Sequence, residues 1–288
     1  MKNSKSKAKQ TLLMIAALAP ALLLSVGIVI YPIINNVILS FKNAAGEWSL
    51  ENYIYIFTNK ISKAAISYTI LLAVLTVLLV IAFSYLLALF LKFSKSKISN
   101  RIGNLYLLPR FIPSLVSVYA MMTIIRDSGL INRLSLLLPE TSALYNFKPG
   151  LLYTTNGILV MNCWFNIPFA TMIIVAALSG ISESVVESAR DVGAGKLRVF
   201  FKIILPLSYK DVLIAATFVF MSNISSFTTP YLIGANYPQL LGVYLRKEFG
   251  NMHYANAAAV AVVMFALSSV SAIVYLYTNL KDQKWENA

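Results

Sequence analysis

Glu187–Pro206 reads ESARDVGAGKLRVFFKIILP, a polar and basic stretch set between hydrophobic runs long enough to cross a bilayer. Charged side chains are costly in hydrocarbon, so this segment lies outside the membrane and the runs around it define the fold. A bilayer core of about 30 Å requires roughly 20 mostly apolar residues per helix. Six runs reach that length: Thr11–Ile34, Ile66–Leu91, Gly103–Ile125 with Pro109 and Pro113 inside it, Leu151–Leu178, Val212–Ile233 and Ala255–Thr278. They are apolar on most faces rather than alternating, which excludes barrel strands. Helices satisfy every backbone polar group within the segment. The chain is therefore expected to be an all-α membrane protein with six transmembrane helices.

Composition agrees. Of 288 residues, 58% are hydrophobic and 12% charged, beyond what a soluble surface tolerates. The basic start MKNSKSKAKQ followed by TLLMIAALA imitates a secretion signal, but the apolar run continues through Leu22 and Ile30 and reads as an uncleaved first span. Lys and Arg set the orientation. One side holds Lys2, Lys5, Lys7 and Lys9, the basic residues of Lys92–Arg101, those from Arg190 to Lys210, and Lys281 and Lys284. They outnumber the set on the other side: Lys42, Lys60, Lys63, Arg126, Arg133, Lys148, Arg246 and Lys247. Both termini and the segment 180–210 are thus expected in the cytoplasm. The net charge of +13 flanks spans rather than forming a compact basic face, so no nucleic-acid partner is expected. The single cysteine, Cys163, excludes an intrachain disulfide and a cysteine zinc site.

No repeat or linker interrupts the chain, which is read as one membrane domain over 1–288. Trp48, Tyr53, Tyr55 and Phe57 suit an interfacial aromatic belt or short helix. Asp127–Gly150, with an apolar LSLLL run, suggests a brief helix over the outer mouth. Within Glu183–Lys202 the apolar positions Val185, Val186 and Ala189 fall on one side. Glycine costs about 1 kcal/mol inside a helix, so Gly193 and Gly195 predict two short helices meeting near Gly193, with Ser182 as N-cap of the first.

The quoted stretch has an acid at Glu187, then Ser188 and Ala189, three residues, Gly193, nine residues, and Ile203, Leu205 and Pro206. This resembles the EAA loop of permease subunits in binding-protein-dependent ABC importers of type I, departing from it at Ser188, where the family usually has alanine. SLENYIYIF, LPRFIPSLVSVY, GLINRL, WFNIPFATMIIVAALSGI and YANAAAVAVVMF extend the resemblance over nearly the whole chain. It implies a docking motif for cytoplasmic ATPase subunits at Glu187, Ser188, Ala189, Asp191, Gly193, Ile203, Leu205 and Pro206. It further implies a second permease subunit, of a different chain, and an extracytoplasmic solute-binding protein, all in the cytoplasmic membrane. No cofactor is expected here, ATP and Mg being bound by the ATPase. The fragment GAGK at Gly193–Lys196 is no P-loop, because Arg190 stands where that motif needs glycine and Leu197 where it needs Ser or Thr.

Catalysis is disfavoured, since His253 is the only histidine and no two acids lie deep in the spans. Polar residues within spans normally face a bundle interior or a watery cavity. Asn162 and Asn166 share a face of the fourth run; Ser222, Ser226 and Thr229 fall at helical spacing on the fifth, beside Asn223. These six are the candidate translocation lining, with interhelical packing as the competing role. Arg110, the one charge placed within a run, is either partner to an anion or gate residue or part of a non-helical end facing a vestibule. Asp191 before Val192-Gly193-Ala194, with SSFTTPYLIG, resembles the spermidine/putrescine, ferric-iron and phosphonate permeases, so that solute class is expected first. Carbohydrate permeases, which share SLENYIYIF and GLINRL, are the alternative. A non-transporting membrane scaffold or receptor is the alternative of another class.

Overall fold

The computed structural model describes residues 2–94, 96–235 and 237–286, with side chains placed for 14–94, 96–235 and 237–277. The terminal lysines of the orientation argument (Lys2, Lys5, Lys7, Lys9, Lys281 and Lys284) and Lys95 have side chains outside the described residues. Among the described residues the chain is helical, with one isolated bridge, Lys42 to Trp48.

Helix α1 (Lys2–Ser25) passes through a π turn at Val26–Ile30 into α2 (Tyr31–Ser40), with Pro32 in its first turn. An amphipathic α3 (Glu51–Thr58) follows, then α4 (Lys60–Phe93) and α5 (Lys97–Leu105), which the Ser96 hydroxyl caps by accepting from Ser99 N at 3.1 Å. A 3₁₀ turn, Leu108–Phe111, leads to α6 (Ser114–Ile125) and the brief α7 (Leu130–Ser135). Next come α8 (Thr155–Ser179), α9 (Glu183–Asp191), α10 (Lys196–Val199), a π turn at Phe200–Ile204, α11 (Leu205–Ile224), α12 (Thr228–Ile233), α13 (Leu241–Gly250) and α14 (Tyr254–Glu286). Six helical stretches are long and apolar enough to span a membrane: Met14–Ser40, Lys60–Phe93, Ser114–Ser135, Thr155–Ser179, Lys196–Ile224 and Tyr254–Tyr277. The all-α, six-span expectation holds.

Several boundaries move from the sequence reading: the first span runs on to Ser40, the second begins at Lys60, the fifth begins at Lys196, and two others are set by breaks in the helix. The third span starts at Ser114, not Gly103: Pro109 and Pro113 lack the N–H a helix needs and disfavour helix in the preceding residue, so 103–105 belong to α5. The fifth ends at Ile224, and Thr228–Ile233 is a separate turn of helix.

The backbone forms two compact units, Met1–Asn59 with Leu245–Val263, and Lys60–Tyr244 with Met264–Ala288. In the first, Asn52 Nδ2 donates to Ser40 O (2.9 Å) and Lys42 O (2.8 Å), and the Ser40 and Tyr53 hydroxyls lie 2.7 Å apart. These bonds pin α3 to the end of α2. The most apolar stretch of the first span contains no buried residue. In the second unit α4, α8 and α11 pack together through Val80, Ala88, Ala170, Ile174, Leu178, Ala215 and Val219, all fully buried. A second cluster of Leu72, Val118, Ile158, Met161, Ile233 and Leu240 joins α4, α6, α8 and α12. Gly157 is required where its helix starts, because a Cβ there would collide with the Leu151 carbonyl.

Candidate docking segment and polar path

The segment 180–210 hangs between the ends of α8 and α11. Ser182 occupies the N-cap position of α9 with extended backbone, although its hydroxyl meets Ser184 Oγ (3.1 Å) and makes no capping bond. At the other end Ala194 N donates to Ala189 O (3.0 Å) and Gly193 N to Arg190 O (2.8 Å), with Gly193 at φ +82°. That is the Schellman arrangement, which turns on a left-handed residue after the helix. Gly193 thus ends α9, as its position predicted. The second of the two expected short helices is instead the first turn of the long fifth span, because α10 runs through the π turn into α11. Pro206, in the first turn of α11, has no N–H for the carbonyl four residues back, and the π turn precedes it.

The three apolar positions expected on one side of α9 separate. Val186 is 3% exposed and Ala189 half-buried, both packed with Val199, Ile204, Ala194 and Leu205 in the cluster that contains the α4–α8–α11 core. Val185 is exposed, with Val192 at 85% and Leu197 at 75%. Glu187, Ser188 and Asp191 are exposed beside them, as is Pro206, while Ile203 is half-buried against the core. Lys92, Phe93, Glu183, Val186, Glu187 and Arg190 line a cleft of about 120 Å³. The motif therefore has two sides: one anchored in the helix core, the other a carboxylate amid bare valine and leucine side chains.

An aromatic and hydroxyl relay ties this segment to α4. The Phe200 ring meets Tyr85 edge-on at 5.3 Å and Phe201 at 4.8 Å. The Tyr85 and Ser208 hydroxyls are 2.5 Å apart. Ser208 gives its hydrogen to Ile204 O (2.8 Å), so Tyr85 is the donor. The composition of the stretch did not single out this pair, which depends on tertiary contact.

The six polar candidates divide as well. Asn162, 4% exposed, donates to Thr76 Oγ1 on α4 at 3.3 Å. Asn223, 3% exposed, donates at 2.7 Å to Val219 O of its own helix. Both are enclosed by the bundle. Thr229 is also buried, and the break after Ile224 removes Ser226 and Thr229 from the helical face on which Ser222 lies, contrary to the spacing argument. The open pair is Asn166, half-buried, and Ser222, exposed, whose hydroxyl lies 3.2 Å from Asn166 Oδ1. Arg110 sits in the 3₁₀ turn rather than in a helix, its guanidinium 5.0 Å from the Phe169 ring centre. His253 Nδ1 pairs with Glu248 Oε2 at 3.1 Å.

Residues 81–287 match the family described as binding-protein-dependent transport system inner membrane component. The chain belongs to this family. It is a multi-pass inner membrane protein. Among curated members, the maltose/maltodextrin transport system permease protein MalF of Salmonella typhimurium is 27% identical over 274 residues, covering 81% of this chain and 52% of that protein. The chain spans about half the length of these MalF relatives. The spermidine/putrescine transport system permease protein PotB of Escherichia coli K12 is 22% identical over 205 residues, 71% of this chain and 73% of that one. The fold is shared with a crystal structure of a bacterial ABC transporter involved in import of the acidic polysaccharide alginate. That comparison has a TM-score of 0.79 at 19% identity and covers 98% of this chain and 99% of the other.

Proposed function

We propose that this family member is the membrane-spanning subunit of an ABC importer, passing a small polar or charged solute inward by alternating access while a separate ATPase binds ATP and Mg. The observation that carries the reading is the two-sided segment 183–206. Glu187 stands exposed among Val185, Val192 and Leu197, while Val186 and Phe200 join the same segment to the helix core. A partner seated on the exposed side would move α11 and α4 together. In this reading 1–288 acts as one membrane domain with both termini in the cytoplasm, a solute-binding protein meets its outer face, and a second permease chain completes the pathway.

Of the solute classes named by the relatives, the open path chemistry favours a sugar over a polyamine. Its side chains are an amide, a hydroxyl and aromatic rings, with Arg110 nearby, and a polycation is repelled by a guanidinium. The polyamine reading is kept by the PotB relationship and the Asp191-Val192-Gly193 order.

The test of coupling is Glu187→Ala in the full complex, reading ATPase co-purification and solute-stimulated hydrolysis. Both should fall while the chain stays inserted. Wild-type values for both would sink the docking role.

A further inference from the structure

Arg110 has a place in the fold that packing does not account for. Phe169 lies ten residues before the end of α8 at Ser179, about 15 Å along the axis at 1.5 Å per residue. The guanidinium stacked on it therefore stands at membrane depth. A charge there must face protein or a watery cavity rather than lipid. Among the described residues no carboxylate pairs with it, and its side chain is exposed. Asp211 occupies the same face of α11 two turns before Phe218 and makes no ion pair with it.

The neighbours of Arg110 form a strip. Phe169 meets Phe218 edge-on at 5.9 Å. Asn166 and Phe169 lie one turn apart on α8, and Phe218 and Ser222 one turn apart on α11. The Ser222 hydroxyl, whose hydrogen is shared between Val219 O at 2.9 Å and Asn166 Oδ1 at 3.2 Å, marks the other end. Among the described residues the guanidinium makes no hydrogen bond besides its place over the Phe169 ring, so its N–H fork, which matches a carboxylate, is unspent. Rings offer a surface to the C–H face of a sugar, and amide and hydroxyl groups bond its hydroxyls.

We propose that Arg110 is a selectivity residue that draws carboxylate-bearing sugars into the strip formed by Phe169, Phe218, Asn166 and Ser222. This rests on the sugar reading above and adds the requirement for negative charge. An acidic sugar entering the strip gains a paired, charge-assisted contact, whereas a neutral one leaves the guanidinium unpaired.

The first measurement needs no knowledge of the natural solute. In the assembled complex in membranes, with Cys163→Ser and Ser222→Cys, the new thiol is reacted with an anionic sulfonatoethyl and a cationic trimethylammonioethyl methanethiosulfonate. The anionic reagent should react faster, and Arg110→Gln should lower the anion-to-cation rate ratio about tenfold, as expected for a charge roughly 10 Å away in a partly wet path. Arg110→Lys should keep the ratio, which separates loss of charge from loss of fold. An unchanged ratio in Arg110→Gln, or a thiol unreactive to both reagents, overturns the proposal.

The second measurement compares uptake of trigalacturonate and its methyl ester, which share rings and differ in charge. Preference for the acid, lost in Arg110→Gln, is the expected result. Uptake of the ester alone overturns the role of Arg110 and leaves the sugar reading standing. Uptake of neither, with ATPase still docked, removes both.

Discussion

Gly193 and Gly195 are two residues apart in the docking segment, yet alanine should act on them in opposite ways. Gly193 has φ +82°, and a Cβ built there meets no atom within 4 Å. The cost of Gly193→Ala is therefore conformational, roughly 1–2 kcal/mol for an L-residue held in the left-handed region. Gly195 has φ −66° and ψ 160°, ordinary for alanine, and its Cβ also meets nothing. Gly195→Ala should be neutral or stabilise by about 0.4–1 kcal/mol through the unfolded chain. A penalty of 1–2 kcal/mol on the Schellman turn corresponds to about a 5- to 30-fold shift toward its open form. Hydrogen exchange reads this directly. The Gly193 and Ala194 amides, bonded to Arg190 O and Ala189 O, should exchange about 5- to 30-fold faster in Gly193→Ala and at the wild-type rate or slower in Gly195→Ala. The bundle should melt at nearly the same temperature in both, because Gly193 and Gly195 are themselves exposed and the contacts among α4, α8 and α11 are untouched. ATPase stimulation should decline in the first variant alone. Equal exchange in the two variants would refute the argument from backbone conformation.

Tyr85→Phe should remove the bond to Ser208 and keep the ring against Phe200, costing about 1 kcal/mol in thermal unfolding; a loss far larger would mean that the hydroxyl does more than join α4 to α11. Asn223→Leu removes a buried amide that bonds within its own helix, so uptake should fall only in proportion to folded protein, with a stability change of about 0.6–1.7 kcal/mol. Uptake lost from fully stable protein would return Asn223 to the path. For orientation, single cysteines near Ser96 and Lys196 in a Cys163→Ser background should label from the cytoplasmic side, and those near Ala44 and Asn146 from the outside. Labelling of both pairs from one side would overturn the charge-based topology.

Much of this protein was legible in its residues alone. Run length determines how many helices can cross, because a bilayer of set thickness accepts only segments near 20 residues, and all six spans were readable that way. Local chemistry marked the break at Gly193, which ends a helix by accepting a left-handed backbone, whereas run length alone carried the third span across Pro109 and Pro113, which stop a helix by removing donors. The spacing of acid, glycine and Ile-x-Leu-Pro singled out the segment proposed here to dock the ATPase.

Facing was not legible. A membrane helix can be apolar all round, so its pattern does not say which side meets a neighbour. Sequence spacing thus grouped Ser222, Ser226 and Thr229, while packing ended the helix at Ile224, enclosed Asn223 and left Ser222 open beside Asn166. The same limit hid the split of Val186 from Val185 and the stacking of Arg110 on Phe169. Contacts between residues far apart in the chain decide these directions, and only the tertiary structure brings α4, α8 and α11 close enough to make them.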